Sequence, residues 1–513
     1  MKVMTPEQIY SAENNENAEG LSYESMMRTA GNNLAAIIKA DHPAGGNTVV
    51  VCGKGKNGGD GIIAANKLSL DPRFKVSVIL AFGEPTEELS RKMFGEIDRS
   101  VTDVIDFSQS PDECYALIAG ADLIVDAIFG IGFAGSVSDA IRPVFEAINA
   151  SKAKRISVDI PSGLIASVPA VPELFVHADS TVTMLCAKPA VALLPSRDCC
   201  GKITVAGIGF TPPETSFGYE VTDREYVRSL FKPRAKDSNK GSYGRVAAFC
   251  GSAKMPGAAV LAAKAAVETG CGLYKAIFPK SAYKSIASQL TEPILMPFTN
   301  GRFMQFLSKM GFDGAAGQLS GYLKGASVFL AGCGIGRTED TVGSLKDLLS
   351  QAKCPVVLDA DALNIVAKDT SMIKNLGVPL LITPHPGEMS RLTHKSIAEI
   401  QSDRIGTALE AAKKFGCAVL LKGCDTVICS PEGRVFINPT GNPGMARGGS
   451  GDVLSGIIAS FIAQGLDVFD AAVAGAYIHG LAGDIAADKY TQFCSTPLRL
   501  IEELPAAFKT VGV

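Results

Sequence analysis

The sequence carries no excess of basic charge: 49 Lys and Arg stand against 52 Asp and Glu, a formal net charge of −3. That balance speaks against a nucleic-acid backbone as the main partner, which a basic stripe would track. No window holds the roughly 18 uncharged apolar residues that a membrane span needs, and residues 1–20 lack the apolar core of a secretory signal. The 13 Cys show no metal-type spacing; Cys199 and Cys200 are adjacent and the others are scattered through apolar stretches. Buried, reduced thiols and a cytoplasmic location are the expectation. Neither an internal repeat nor a low-complexity tract is present.

What is present is a globular composition. The 513 residues are 47% hydrophobic and 20% charged, with 53 Gly and 27 Pro. A chain of this length exceeds one hydrophobic core and predicts two to four domains. Thr5-Pro6-Glu7-Gln8 places an N-cap, a proline at the first helical position and a capping-box Gln, so a helix starts there. Apolar runs at 48–52, 75–80, 123–125 and 156–158 alternate with helical stretches, which predicts a parallel sheet covered on both faces. Around 211–244 the texture turns polar and rich in turn formers. Runs at 246–249, 327–331, 355–358, 379–383 and 418–422 then resume the alternation. The expected organisation is α/β throughout: a Rossmann-like parallel-sheet domain over 1–220, a linker over 221–240, and a second α/β domain over 241–513.

Loops after parallel strands are where such domains bind ligands. In the first half Gly53-Lys54-Gly55-Lys56-Asn57-Gly58-Gly59-Asp60-Gly61 follows a strand and opens a helix, where glycines admit close approach and free N–H groups favour anions. It is not a Walker loop, because no Gly-Lys-Ser or Gly-Lys-Thr follows at the required spacing. Asp126 to Gly132 and Ser157 to Gly163 follow the next strands, so Asn57, Asp60, Asp126, Asp159 and Ser162 are expected to meet in one crevice. Hard oxygen donors without a Cys or His cluster suit an alkali or alkaline-earth cation. In the second half Gly448-Gly449-Ser450-Gly451 directly precedes an amphipathic run from Val453. Their N–H groups are expected to cradle phosphate, with Asp452 placed to accept a proton from a substrate hydroxyl. Asp359-Ala360-Asp361, Thr383-Pro384-His385-Pro386-Gly387-Glu388 and Lys422 to Thr426 follow other strands of the same sheet.

The combination GKGKNGGDG, DAIFGIG and VDIPSGL, with Met26-Met27-Arg28-Thr29-Ala30-Gly31 upstream, resembles the NAD(P)H-hydrate epimerases over roughly residues 1–215. The resemblance implies that Lys56, Asn57, Gly58, Gly59 and Asp60, the loop Gly130, Ile131, Gly132, Phe133, Ala134, Gly135 and Ser136, and Asp159 bind the hydrate. Asp159 is also expected to be catalytic, and Asn57, Asp126 and Ser162 are expected to hold K+. The chain departs from the family at Lys56, where Asn is usual, at Ala134, where Arg is usual, and at Ile165, where Asp is usual.

The set PGAA, GCGIG, DADALN, TPHPGE, KGCDT and NPGMARGGSGD resembles the ADP- or ATP-dependent NAD(P)H-hydrate dehydratases of the ribokinase-like fold, over about 235–505. It implies that Ala258, Gly334, His385, Pro386, Gly387, Glu388, Met389, Ser390, Arg391 and Asp452 contact the hydrate. Lys422, Gly423, Cys424, Asp425, Thr426, Asn442, Pro443, Gly444, Met445, Ala446, Arg447, Gly448, Gly449, Ser450 and Gly451 would contact the nucleotide, with Mg2+ accompanying ADP and Asp452 as catalytic base. Arg447 stands where the family generally has Thr. The reading is a homo-oligomeric nicotinamide-nucleotide repair enzyme that epimerises the hydrate and dehydrates its (S) form with ADP. The alternatives are a ribokinase-like small-molecule kinase and a first domain that senses ligand without turnover.

Overall fold

The computed structural model describes residues 1–214, 218–299, 321–374 and 376–513. The chain divides into two compact units, Met1–Glu220 and Val221–Val513.

The first unit is built on a sheet of seven parallel strands: β1 Gly46–Cys52, β2 Phe74–Leu80, β3 Thr102–Asp106, β4 Leu123–Ala127, β5 Lys154–Val158, β6 Ser180–Met184 and β7 Lys202–Ala206. Their spatial order is β3-β2-β1-β4-β5-β6-β7. The chain therefore works outward from β1 and then returns to β1's other side, leaving a topological switch between β1 and β4, where such sheets open a crevice. Residues of β1 and β4 are buried from Thr48 to Cys52 and from Leu123 to Ala127, as sheets with two covered faces require. The expected first helix is present as Pro6–Ala18, with Thr5 as N-cap and a complete capping box to Gln8. The helix after the first glycine loop spans Lys56–Ser69. It starts five residues before the apolar periodicity does, because the loop's last glycines already wind as its first turn.

In the second unit the strands are β8 Arg245–Phe249, β9 Leu273–Pro279, β10 Ile294–Phe298, β11 Val328–Ala331, β12 Val356–Leu358, β13 Leu380–Ile382, β14 Ala418–Leu421, β15 Thr426–Cys429 and β16 Val435–Asn438. They lie in the order β16-β15-β14-β13-β12-β11-β8-β9-β10. Pairing is parallel from β10 to β14 and antiparallel from β14 to β16. Here the switch lies between β8 and β11, and across it Gly251 N donates to Cys333 O at 2.7 Å. Two helices, Ser450–Ala463 and Val468–Tyr490, are buried along most of their length and fill one face.

Nine of the 13 cysteines are buried and none is disulfide-bonded, while Cys424 and Cys494 are exposed. No helix among the described residues is long and apolar enough to cross a membrane.

Residues 221–240, expected as a linker, include the helix Arg224–Leu230 capped by Asp223. Val227 is fully buried in the second unit's core, and Tyr226, Leu230 and Phe231 pack against it. Phe231 meets Phe461 and Phe508 edge-on, and Thr222 N donates to Ile437 O at 2.8 Å. A fragment comprising 221–513 is therefore expected to fold alone. One starting at 235 loses this apolar cover, at about 2 kcal/mol for each fully buried side chain removed. Thermal unfolding of the two fragments checks this; equal midpoints would show that the segment contributes nothing.

Candidate functional site

A cavity of about 560 Å³ opens at the β1/β4 switch of the first unit, and Lys56, Asn57, Asp60, Gly130, Ile131, Gly132, Phe133, Ala134 and Asp159 all line it. Gly58 and Gly59 do not. A Cβ on Gly58 would stand 2.1 Å from Gly53 O, and one on Gly59 would stand 2.7 Å from Ser90 Oγ and 2.9 Å from Met27 Sδ, so Gly58 serves close packing of the helix against its own loop and Gly59 its packing against two neighbouring helices. Gly135 and Ser136 are exposed and lie outside the lining.

Asp126 and Ser162, expected in the same crevice, are fully buried and do not line the cavity. Asp126 pairs with Val51 on one side and Ser157 on the other. Its buried carboxylate accepts from Ser157 Oγ at 2.8 Å, Ser162 N at 2.9 Å, Ile128 N at 3.3 Å and Ser162 Oγ. Every one of these donors is neutral. Burial pushes the Asp126 carboxyl upward and the serine hydrogen bonds pull it back. Asn57, in the first turn of the helix Lys56–Ser69, is buried against Gly130, where a Cβ would stand 3.1 Å from its Oδ1, and its Nδ2 has no partner among the described residues. Lys56 does not pair with Asp126: its side chain is exposed at the cavity and its Nζ stands 4.8 Å from the centre of the Tyr23 ring.

Asp159 adopts φ 70°, a conformation uncommon for a residue with a side chain and concentrated at functional sites. Its carboxylate pairs with Lys188 and accepts from Met184 N at 3.2 Å and Ile131 N at 3.3 Å. Lys188 is 1% exposed. Its other hydrogen bonds go to Thr183 Oγ1 at 3.1 Å and Met184 O at 2.6 Å. Sequence reasoning missed it. The available signal was a single charge inside the otherwise apolar run Met184 to Leu194. Also missed were Tyr10, Glu13 and Tyr23, which reach the cavity from the first two helices.

In the second unit the loops at the carboxyl ends of β11 to β14 surround the start of the helix Ser450–Ala463. That helix is capped by Gly449 at φ 100°, where only glycine is unstrained; a Cβ there would also press to 2.7 Å from Leu261 Cδ1. Asp452 sits in its first turn, half-buried. Burial first, and then the Asp359 carboxylate, push its carboxyl up to about 6, against the pull of Cys333 and Lys422. A carboxylate tuned so near neutrality is matched to general-base work.

Beneath the cradle Lys422 pairs with Asp359, with Glu388 at 3.8 Å. Burial works against the ammonium, and the Asp359 and Glu388 carboxylates outweigh it, leaving Lys422 held above its ordinary value. Asp359 also accepts from Ala360 N and Ser455 Oγ, both at 2.8 Å. His385 caps the helix Pro386–Thr393: its Nδ1 accepts from Gly387 N at 3.0 Å, and its Nε2 stands 3.3 Å from Glu388 Oε1. Burial and the neighbouring Lys422 and Arg391 hold it below its usual value. It is thus the neutral imidazole near pH 7.

The remaining expected contacts separate by placement. Gly334 closely faces Ala258, where a Cβ would come within 2.7 Å of Ala258 Cβ. Pro386 and Gly387 open the His385-capped helix, while Met389 is fully buried in the core. Ser390 donates to Lys395 O and Arg391 to Asn364 Oδ1. In the Lys422 loop, Thr426 Oγ1 donates to Gly423 O at 2.8 Å, Asp425 takes φ 49° and Cys424 is exposed. Arg404, which sequence reasoning passed over, donates to Leu421 O and Lys422 O and steadies this loop. Asn442 caps the short helix Pro443–Met445 and is anchored to Asp484 at 2.9 Å. Arg447 is exposed and donates to Phe493 O at 2.9 Å.

A parallel-sheet unit with a cavity at its switch point, followed by a unit whose glycine-capped helix carries a half-buried carboxyl near a Lys–Asp pair, is the architecture of a two-unit α/β enzyme. Comparison with known proteins makes this specific. A family profile described as "NAD(P)H-hydrate dehydratase" matches residues 246–506, and one described as "YjeF-related protein N-terminus" matches 23–190. The bifunctional NAD(P)H-hydrate repair enzyme Nnr of Moorella thermoacetica is 37% identical over 475 residues, covering 90% of this chain and 87% of its own. That of Escherichia coli is 32% identical over 484 residues, covering 92% and 87%. A solved ribokinase-like superfamily protein from Enterococcus faecalis superposes on 57% of this chain and 96% of its own with a TM-score of 0.50 at 26% identity. The chain belongs to the bifunctional NAD(P)H-hydrate repair enzymes, with an epimerase unit followed by a dehydratase unit of ribokinase-like fold.

Asp452→Asn is expected to lower the ADP-dependent recovery of NAD(P)H by a factor of about 10² to 10⁴, as loss of a positioned base does. The wild-type turnover number should fall as pH drops below about 6, because the base is then protonated. A variant with near wild-type turnover would remove Asp452 from the chemistry.

Proposed function

We propose that the first unit interconverts the (R) and (S) epimers of NAD(P)H hydrate and that the second dehydrates the (S) epimer with ADP, releasing AMP, phosphate and NAD(P)H. The observation that carries the second activity is Asp452, poised near neutrality in the first turn of the glycine-capped helix. Its carboxylate takes the proton of the ring hydroxyl as that oxygen attacks the terminal phosphoryl group. The first-turn N–H groups, at the positive end of the helix dipole, stabilise the charge that develops there. The phosphate ester then leaves as phosphate. His385 and the helix it caps border the hydrate, and the Lys422 loop and residues 442–451 border the nucleotide.

Mg2+ fits this edge. The oxygen donors Asp359, Asp361 and Glu388 stand there, yet the described residues contain no group of three or more acidic, His or Cys side chains arranged to hold a metal. Mg2+ keeps several waters and binds mainly through phosphates, so such donors need supply only part of its shell. When bound, Mg2+ would offset charge on the phosphate oxygens.

For the first unit the donor chemistry favours K+ held by Asn57, Asp126 and Ser162. A buried carboxylate ringed only by neutral donors retains uncompensated negative charge, and a weakly hydrated monovalent cation balances it. Lys56 does not take that place, since it turns to the cavity rim; there its ammonium is available to the pyrophosphate of the hydrate.

Two measurements test this reading. Incubating the protein with mixed hydrate epimers and ADP or ATP, while following NAD(P)H absorbance, should convert both epimers completely, the (R) form through the (S). A stable phosphorylated product would instead identify a small-molecule kinase, and recovery of only the (S) form would deny the first activity. Lys56→Asn should raise the KM of epimerisation by about 2- to 5-fold, as loss of an exposed charge contact worth up to about 1 kcal/mol does. Its dependence on K+ should stay as in the wild type; loss of that dependence would place Lys56 in the ion site.

A further inference from the structure

The helix Pro6–Ala18 is held by its capping box and buries Ile9 and Ala12. Glu13 lies four residues after Ile9 and so shares its face, where an apolar residue would ordinarily stand. It is half-buried and lines the cavity of the first unit. Among the described residues, none forms a hydrogen bond or an ion pair within 4.0 Å with its carboxyl. A half-buried acid without a partner on a packing stripe is costly to keep charged, and in a cavity it marks a working group.

The charged groups facing it are Lys56, Asp159 and Lys188, with Asp60 and Tyr10 in the same cavity. Neither lysine is dedicated to Glu13. Lys56 stands over Tyr23, and the Lys188 ammonium is occupied by Asp159, Thr183 Oγ1 and Met184 O. Asp159, by contrast, has a buried cation and two backbone N–H donors. Burial pushes the Glu13 carboxyl upward, with Asp159 adding to the rise against the pull of Lys56 and Lys188. One cavity thus holds an acid whose carboxyl burial pushes upward and a second carboxylate paired with a buried lysine, two carboxyls in different environments, the arrangement that separates acid from base in one site.

Resting on the epimerase reading above, we propose that Glu13 is the general acid of that centre, giving its proton to the departing ring hydroxyl while Asp159, held by Lys188, receives the proton of the returning water. The C–O bond at the hydroxylated carbon breaks, the Glu13 proton joins the leaving oxygen as water, and the ring-nitrogen lone pair closes a C=N bond. Water then adds to the opposite face of that carbon, the electron pair returns to nitrogen, and one proton of the added water passes to Asp159. Return of a proton to Glu13 through solvent restores the site. Nothing is oxidised or reduced, and one water leaves for each that enters.

The test uses the full-length protein and separated hydrate epimers without ADP, so that the dehydratase is silent, with inversion followed by chromatography. Glu13→Gln should lower the turnover number of epimerisation by about 10²- to 10⁴-fold with little change in KM. ADP-dependent dehydration of the (S) form in the same preparation should stay at the wild-type rate, showing an intact chain. Wild-type turnover should fall as pH rises through the elevated Glu13 value, because the acid form is lost. Glu13→Asp should keep part of the activity and that alkaline limb, and Glu13→Gln should lack the limb. In oxygen-18 water, each wild-type inversion should bring solvent oxygen into the ring hydroxyl. Glu13→Gln turnover within threefold of wild type, an alkaline limb abolished by Asp60→Asn and not by Glu13→Gln, or inversion with the original oxygen retained would each overturn the assignment. A wild-type protein that dehydrates the (S) epimer yet never inverts the (R) form would instead refute the epimerase reading itself.

Discussion

An ammonium taken out of water without a partner is costly, so Lys188 and Lys422 can occupy the carboxyl edges of the two sheets only because Asp159 and Asp359 meet them there. Removing one member of such a pair costs about 3–5 kcal/mol, because the other is left buried and uncompensated. Each pair is also tied to the backbone around it. Asp159 gathers N–H groups from the loop after β4 and the end of β6, and Asp359 gathers Ala360 N and Ser455 Oγ from two different helices. The pairs hold the loops in place and leave other carboxyls, Glu13 in one unit and Asp452 in the other, without a lysine of their own.

The cavity of the first unit stands where the strand order reverses, between β1 and β4, whereas Asp452 and the Lys422–Asp359 pair of the second gather at the loops after β11 to β14. At such a reversal the loops on either side diverge to opposite faces and open a crevice that no side chain fills. The glycine loops of the two units act differently. In the first unit, Gly58 presses the helix onto its loop and Gly59 onto neighbouring helices, with Asn57 and Asp60 on the cavity side. In the second, Gly449 turns the chain so that the N–H groups of the following turn point outward, with Asp452 beside them.

The parts of these sites that could be read in advance are those carried by local pattern. The glycine loops announce themselves because few residues can take their place, and Asp126, Ser162 and Asp452 sit at fixed offsets from strand ends or helix starts. Glu13 could not be read, since its helix gives no reason to expect a ligand on that face until the cavity is seen beneath it. Lys188 stands 29 residues from Asp159, and only the adjacency of β5 and β6 makes them partners. Arg404 reaches the Lys422 loop from a separate helix.

The α/β alternation, the break near residue 220 and the glycine-capped helix start that carries Asp452 were legible in the sequence, because these depend on hydrophobic period, turn chemistry and short-range geometry. The sequence left the segment after residue 220 as a polar stretch, although Val227 and Phe231 belong to the second core. Only tertiary structure decided that, and likewise which charges pair, where Lys56 and Arg447 point, and which acids stay without a cation. Those outcomes depend on which groups are brought together out of water, and desolvation is a property of the packed site that no residue carries alone.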